Sequence, residues 1–162
     1  MMISRLRLAL PIAGLVVFFD QLSKIFIDRQ FTLYESLEVV ENFFHITYVR
    51  NKGAAFGMFA DSTFRVPFFI GVALLAVVGI LWYLRQVEDS QRGQRIGLSL
   101  VLGGALGNLV DRVRFGEVID FLDVHWYRHH WPAFNVADMA ICVGVGLLLF
   151  GLWQADRQTK RS

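Results

Sequence analysis

LALPIAGLVVFFDQLSKIFI, residues 8–27, is the stretch that decides what kind of protein this is. An α-helix needs about 20 predominantly apolar residues to cross about 30 Å of hydrocarbon, and this run meets that length. Arg5 and Arg7 stand before it, as basic residues do before a cleavable secretion signal. Asp20-Gln21-Leu22-Ser23-Lys24 then occupies the place where cleavage would need small residues, and hydrophobicity resumes at Ile25-Phe26-Ile27. The segment reads as a retained transmembrane helix with two ionisable side chains inside it.

Working outward, three more apolar stretches bring the spans to four, at about 8–27, 66–84, 96–112 and 136–154. The third is short unless it runs on through Asp111 and Arg112 to the interface. Composition agrees: of 162 residues 55% are hydrophobic and 19% charged, with mean hydropathy +0.47, outside the range of soluble domains. The apolar character runs all round each helix rather than along one stripe, which suits lipid. The expected fold class is an all-α membrane protein, a four-transmembrane-helix bundle with up-down connectivity, forming one domain over residues 1–162. A net charge of +2 from scattered basic residues gives no nucleic-acid surface. Cys142, the only cysteine, lies in an apolar stretch and leaves no disulfide to read.

With both termini cytoplasmic, the inside carries Arg5, Arg7, Arg85, Arg92, Arg95, Arg157, Lys160 and Arg161; the outside carries Arg29, Arg50, Lys52, Arg65, Arg112, Arg114 and Arg128. The counts nearly match, but the inside segments are much shorter, so their positive density near helix ends is higher and this orientation is expected. Residues 28–65 are too long and patterned for a plain connector. Phe43-Phe44-His45-Ile46-Thr47-Tyr48-Val49 has strand composition and Asn51-Lys52-Gly53 is a turn signal, so a small extracytoplasmic β-sheet is expected. Residues 54–60 are apolar but too short to span, which predicts a short surface helix on the bilayer. In the second outside segment, residues 112–135, Trp126, Tyr127 and Trp131 are aromatics of the kind that sit at headgroup level.

An ionisable group at hydrocarbon depth costs several kcal/mol unless it is paired or faces water, so Asp20, Lys24 and Asp138 are the first candidates for function. Asp20 and Lys24 lie four apart on one helix face, a structural ion pair or a pair that orients a neighbouring site. Asp138 stands near the start of the last helix, where capping alone would also account for it. Asn135, three residues earlier, is already a good cap, which makes Asp138 look redundant in that role. Asp120 and Asp123 flank Phe121-Leu122 in an apolar setting that would raise a carboxyl pKa, and spacing does not say which of them faces the bundle. If one approaches Asp138, the two could share a proton, one carboxylate activating water while its protonated partner polarises a carbonyl. Asn108, Asp111 and Arg112 share a helix face, and Gly103 with Gly107 permits close helix approach. Ser23 and Lys24 point apart on a helix and make no nucleophile pair. His125, His129 and His130 sit among aromatics without cysteines, so an interfacial role is expected, with no catalytic metal and no cofactor.

In order along the chain, Asp20-Gln21 with Lys24, Asn51 before Gly53-Ala54-Ala55-Phe56, Gly107-Asn108 with Asp111-Arg112, Val118 with Asp120-Phe121, and Phe134-Asn135 with Ala137-Asp138 resemble the bacterial lipoprotein signal peptidases, or signal peptidase II. Each block is weak alone, and the ordered set is specific and covers nearly the whole chain. The resemblance implies an aspartic endopeptidase of the bacterial cytoplasmic membrane whose active site faces the outer leaflet. Its substrates would be diacylglyceryl-modified prolipoproteins, cleaved just before the lipidated cysteine. It implies Asp120 and Asp138 as catalytic dyad, and Asn51, Asn108, Arg112, Asn135, Asp20 and Lys24 as substrate-binding or supporting residues. Met139 departs from relatives with a smaller residue there, which bears on packing more than chemistry. The other partners implied are membrane lipids and the inhibitor globomycin, with the chain a monomer.

The chief rival is a small proton-coupled transporter, because Asp and Lys inside a membrane also build relays. A relay would string its charges along a path near mid-bilayer, whereas the acids here gather toward one face. A non-catalytic scaffold is the third reading, and it leaves the aspartates without a purpose.

Overall fold

A computed structural model of the protein describes residues 6–53, 64–88 and 90–160. Four helices long and apolar enough to cross a membrane dominate it: α1 (Ala9–Gln30), α2 (Arg65–Leu84), α3 (Arg92–Phe115) and α4 (Val136–Thr159). Between them lie β1 (Ser36–Val40), β2 (Phe44–Asn51), β3 (Val118–Trp126) and β4 (His129–His130), one antiparallel sheet in the order β1-β2-β3-β4. The protein is thus multi-pass, with a small sheet attached to its bundle. The surface helix expected at residues 54–60 falls outside the described residues.

α3 is the hub. It packs against each of the other three helices, and half of its spanning window is buried within the bundle, against none of α2's. Small residues make this possible. A Cβ on Gly107 would lie 2.6 Å from Asp20 Oδ2, and one on Gly103 would lie 2.9 Å from the Ala13 carbonyl, so α1 sits too close for any larger residue there. Apolar side chains of α2 such as Leu75 and Val78 face outward, as lipid requires.

α3 is longer than its apolar run, starting at Arg92 and ending at Phe115 rather than covering only 96–112. Its first turn carries Arg92, Gln94 and Arg95, which a hydropathy reading discards although the backbone hydrogen bonds continue through them. Gly116, with φ +72°, ends it.

The expected strand at 43–49 runs instead from Phe44 to Asn51, and Asn51 pairs with Val118. β3 is new relative to the sequence reading, which left residues 112–135 as an interfacial segment. Its first four residues, Val118 to Phe121, are all buried, so neither face shows the polar alternation that signals a half-exposed strand. Ile27, Tyr48, Ile119 and Phe121 form the apolar cluster that seats the sheet on the bundle.

Candidate active site

Three elements meet at one end of the bundle: the end of β2, the start of β3 and the N-terminus of α4. β3 delivers Asp120, which is 2% exposed, and the first turn of α4 delivers Asp138, which is half-buried. Asn135 Nδ2 donates to Asp120 Oδ1 at 2.6 Å, and Asn51 Nδ2 donates to Asp120 Oδ2 at 2.8 Å. Asn108 Nδ2 donates to Asp138 Oδ1 at 2.8 Å, and its own Oδ1 accepts from Asn135 Nδ2 at 3.2 Å. The two carboxylates are therefore joined through a pair of asparagines.

The orientation of each amide follows from a donor that admits no alternative. Gly53 N–H donates to Asn51 Oδ1 at 2.7 Å, Asp138 N–H to Asn135 Oδ1 at 2.9 Å, and the Lys24 ammonium to Asn108 Oδ1 at 3.0 Å. With each oxygen so engaged, each amide must turn its NH2 toward a carboxylate. Gly53 has φ +78°, and a Cβ there would meet the Phe69 ring at 2.9 Å. Gly53→Ala should lower the thermal midpoint by an amount corresponding to about 1–2 kcal/mol, checked by thermal unfolding in detergent.

Burial pushes the Asp120 carboxyl up to about 7. The hydrogen bond from Asn51 opposes that rise, the nearby Asp138 charge adds to it, and Asn135 and Lys24 pull it back down. Asp123 lies elsewhere. It pairs with His45 across the sheet and with His130 Nδ1 at 3.0 Å, so the structure separates the two acids that spacing left level. His125 stacks on His130 and lies edge-on to His45, both with ring centroids 4.5 Å apart. Among the described residues no group of three or more His, Cys, Asp or Glu could hold a metal ion.

One expectation needs correction. Asp138 is not redundant as a cap: Asn135 N–H donates to Asp138 Oδ2 at 3.3 Å while Asp138 N–H donates to Asn135 Oδ1, so the two form a reciprocal capping box. Asp20 and Lys24 form the ion pair that their spacing suggests, and a second acid joins it. Lys24 Nζ lies 2.9 Å from Asp20 Oδ2 and also 2.9 Å from Asp111 Oδ2, with all three side chains almost fully buried. Gln21 Nε2 donates to Asp111 Oδ1 at 2.9 Å. Sequence reasoning had noted Asp111 as a face-mate of Asn108 and Arg112, and both Asp111 and Gln21 within the motifs of the resemblance, but gave neither a role. The signal for Asp111 was its charge at hydrocarbon depth, the same one that singled out Asp20. Arg112 is half-buried, donates to the Asn108 carbonyl at 3.3 Å and lies over the Phe69 ring.

Fold and site together define a polytopic membrane protein whose polar centre is a pair of carboxylates held among asparagines. The profile of Signal peptidase (SPase) II, Peptidase_A8, matches residues 12–154, and the chain belongs to that family. It is 60% identical to the lipoprotein signal peptidase of Syntrophotalea carbinolica over 154 residues, covering 95% of this chain and 96% of the relative. It is 54% identical to that of Geobacter metallireducens over 142 residues, covering 88% of each. A solved structure described as a bacterial membrane enzyme, determined by the in meso method, is similar with a TM-score of 0.83 and 32% identity, covering 95% of this chain and 92% of that one.

Proposed function

We propose that this protein removes the signal peptide from diacylglyceryl-modified prolipoproteins, cutting just before the lipidated cysteine, with Asp120 and Asp138 as the catalytic dyad. The observation that carries this reading is the junction of the two carboxylates through Asn135 and Asn108, with Asp120 buried and its carboxyl pushed up to about 7. At rest Asp120, with its carboxyl pushed up to about 7, holds the proton, and Asp138 stands at the positive end of α4. Asp138 takes a proton from water as the water oxygen bonds to the scissile carbonyl carbon, and Asp120 gives its proton to the carbonyl oxygen. Collapse of the resulting diol breaks the C–N bond: the cysteine nitrogen takes the proton from Asp138, and one diol hydroxyl returns a proton to Asp120.

Asn51 and Asn135 hold Asp120, and Asn108 holds Asp138. Arg112, at the rim, is placed to meet the substrate backbone or a lipid headgroup. The protein works as a monomer in the bacterial cytoplasmic membrane, surrounded by lipid, with both termini cytoplasmic and the sheet over the outer leaflet; globomycin is an expected inhibitor. Against the transporter reading, Asp20, Lys24, Asp111, Asn108 and Asp138 bond to one another and, through Asn135, to Asp120, in one closed cluster rather than along a crossing path.

Purified protein incubated with a lipid-modified prolipoprotein should release the signal peptide, while the unlipidated precursor is spared. Equal cleavage of both would sink the substrate assignment. The pH dependence has a definite sign. Asp120 must be protonated, so kcat/KM should fall as pH rises through about 7. Stability follows the same direction, because a carboxyl raised from 3.8 to about 7 contributes stability that is complete below 3.8 and lost as pH rises through about 7. A thermal midpoint that climbs over that interval would contradict the assignment of Asp120 as acid.

A further inference from the structure

We propose that Asp111 and Asp20, joined through Lys24, form a backbone clamp that sets the separation of Asp120 and Asp138, with Asp111 as a positioning residue for the reaction. Asp111 Oδ2 accepts the Ile119 N–H at 3.1 Å, and Ile119 immediately precedes Asp120. Asp20 Oδ1 accepts the Ala137 N–H at 2.9 Å, and Ala137 immediately precedes Asp138. The two bonds are counterparts: each buried acid holds the peptide N–H one residue before a dyad member. The inference rests on the dyad reading above.

Lys24 makes the two clamps one device. Its ammonium lies 2.9 Å from both acids and donates to Asn108 Oδ1 at 3.0 Å, and Asn108 in turn holds Asp138. Gln21 adds a neutral tie, donating to Asp111 Oδ1 at 2.9 Å, to the Gly107 carbonyl at 3.2 Å and to Asp20 Oδ2 at 3.2 Å. β3 and α4 are thereby both referred to α1 through a single charged centre. β3 and the start of α4 also touch directly, through Asn135 Nδ2 on Asp120 Oδ1 and the Ile119 carbonyl and through the Leu122–Phe134 bridge, and the clamp adds to these contacts a common reference to α1. A mere ion pair would need neither N–H bond. Nor would a structural role require both bonds to fall on the residue preceding a dyad carboxylate.

The test compares Asp111→Leu, Asp111→Asn, and an apolar triple variant (Asp20→Leu, Lys24→Met, Asp111→Leu) with wild type on the lipid-modified precursor. Asp120→Asn serves as the control for the dyad. Replacing the whole ionic group by apolar residues of similar volume removes its desolvation cost but leaves the Ile119 and Ala137 N–H groups without acceptors, so the triple variant should fold with a lowered thermal midpoint. Its kcat should nevertheless fall about 100-fold with KM little changed, because a displaced dyad loses transition-state rather than ground-state interactions. Asp111→Leu should behave alike, whereas Asp111→Asn, which keeps an oxygen for the Ile119 N–H, should recover most of the rate. With the carboxylates farther apart, the like-charge contribution at Asp120 weakens, and the alkaline limb of the Leu variant should move to lower pH.

Wild-type kcat in the triple variant would overturn the clamp, as would equal loss in the Asn and Leu variants with an unmoved pH profile. If the Leu-bearing variants do not fold, the Asn variant decides: a rate as low as the control's overturns the proposal, and a rate near wild type supports it. Cleavage by Asp120→Asn at the wild-type rate would instead remove the dyad reading itself, whatever the Asp111 variants do.

Discussion

Asp120→Asn and Asp138→Asn should each lower the single-turnover rate of signal-peptide release on the order of 10³–10⁴-fold, the contribution expected of a positioned acid or base. The two losses should not add, because the residues act on one proton circuit and removing either stops it. They should differ in stability. Asn51 and Asn135 each turn an NH2 toward Asp120, and an asparagine at 120 has one oxygen for two donors. The new NH2 then faces a donor where a carboxylate oxygen had accepted, at a cost of about 1–3 kcal/mol, while the burden of burying a carboxylate at neutral pH disappears. The Asp120→Asn variant should therefore lose the pH dependence of its thermal midpoint near 7, whereas Asp138→Asn should keep it. Cleavage above a tenth of the wild-type rate in both variants would dismiss the dyad.

Lys24→Met should be the most destabilising single change in the molecule. Lys24 is 1% exposed and sits between two carboxylates that are themselves 0% and 1% exposed. Breaking a buried ionic group by removing one partner costs about 3–5 kcal/mol, because the remaining charges stay in a low-dielectric interior without compensation. Here two acids are stranded at once. The expected result is a large drop in the thermal midpoint in detergent, with partial recovery when Asp20→Asn and Asp111→Asn are added. A midpoint within a few degrees of wild type for Lys24→Met alone would show that water already reaches the cluster.

Much of this architecture is legible in the sequence. A hydrocarbon core demands continuous apolar length, so the spans show as runs, and the ionisable residues inside them stand out for the same reason. Residues 92–95 of α3 were invisible to that logic because helix geometry does not require apolar side chains. β3 was missed because a strand buried on both faces, with acids at 120 and 123, resembles an apolar loop with charges. Asp138 was legible from its place at a helix start, although its reciprocal bonds with Asn135 were not.

Asp120 and Asp123 mark the limit most clearly. Both are acids in apolar surroundings, and only the pairing of Asp120 with Val49 and of Asp123 with His45 sends one to Asn51 and Asn135 and the other to His130. Resemblance to a family had already favoured Asp120, without a physical reason.

The apolar stretch at residues 8–27 shows how the two sources divide. Its length alone committed the chain to a membrane, and the four-residue spacing of Asp20 and Lys24 alone placed them on one helix face. That Lys24 would also bind Asp111, 87 positions on, and that Asp20 would hold the peptide group before Asp138, 117 positions on, depended on contacts between distant parts of the chain. Local sequence carries periodicity and the demands of solvent; it carries no record of which distant backbone N–H a buried carboxylate will meet.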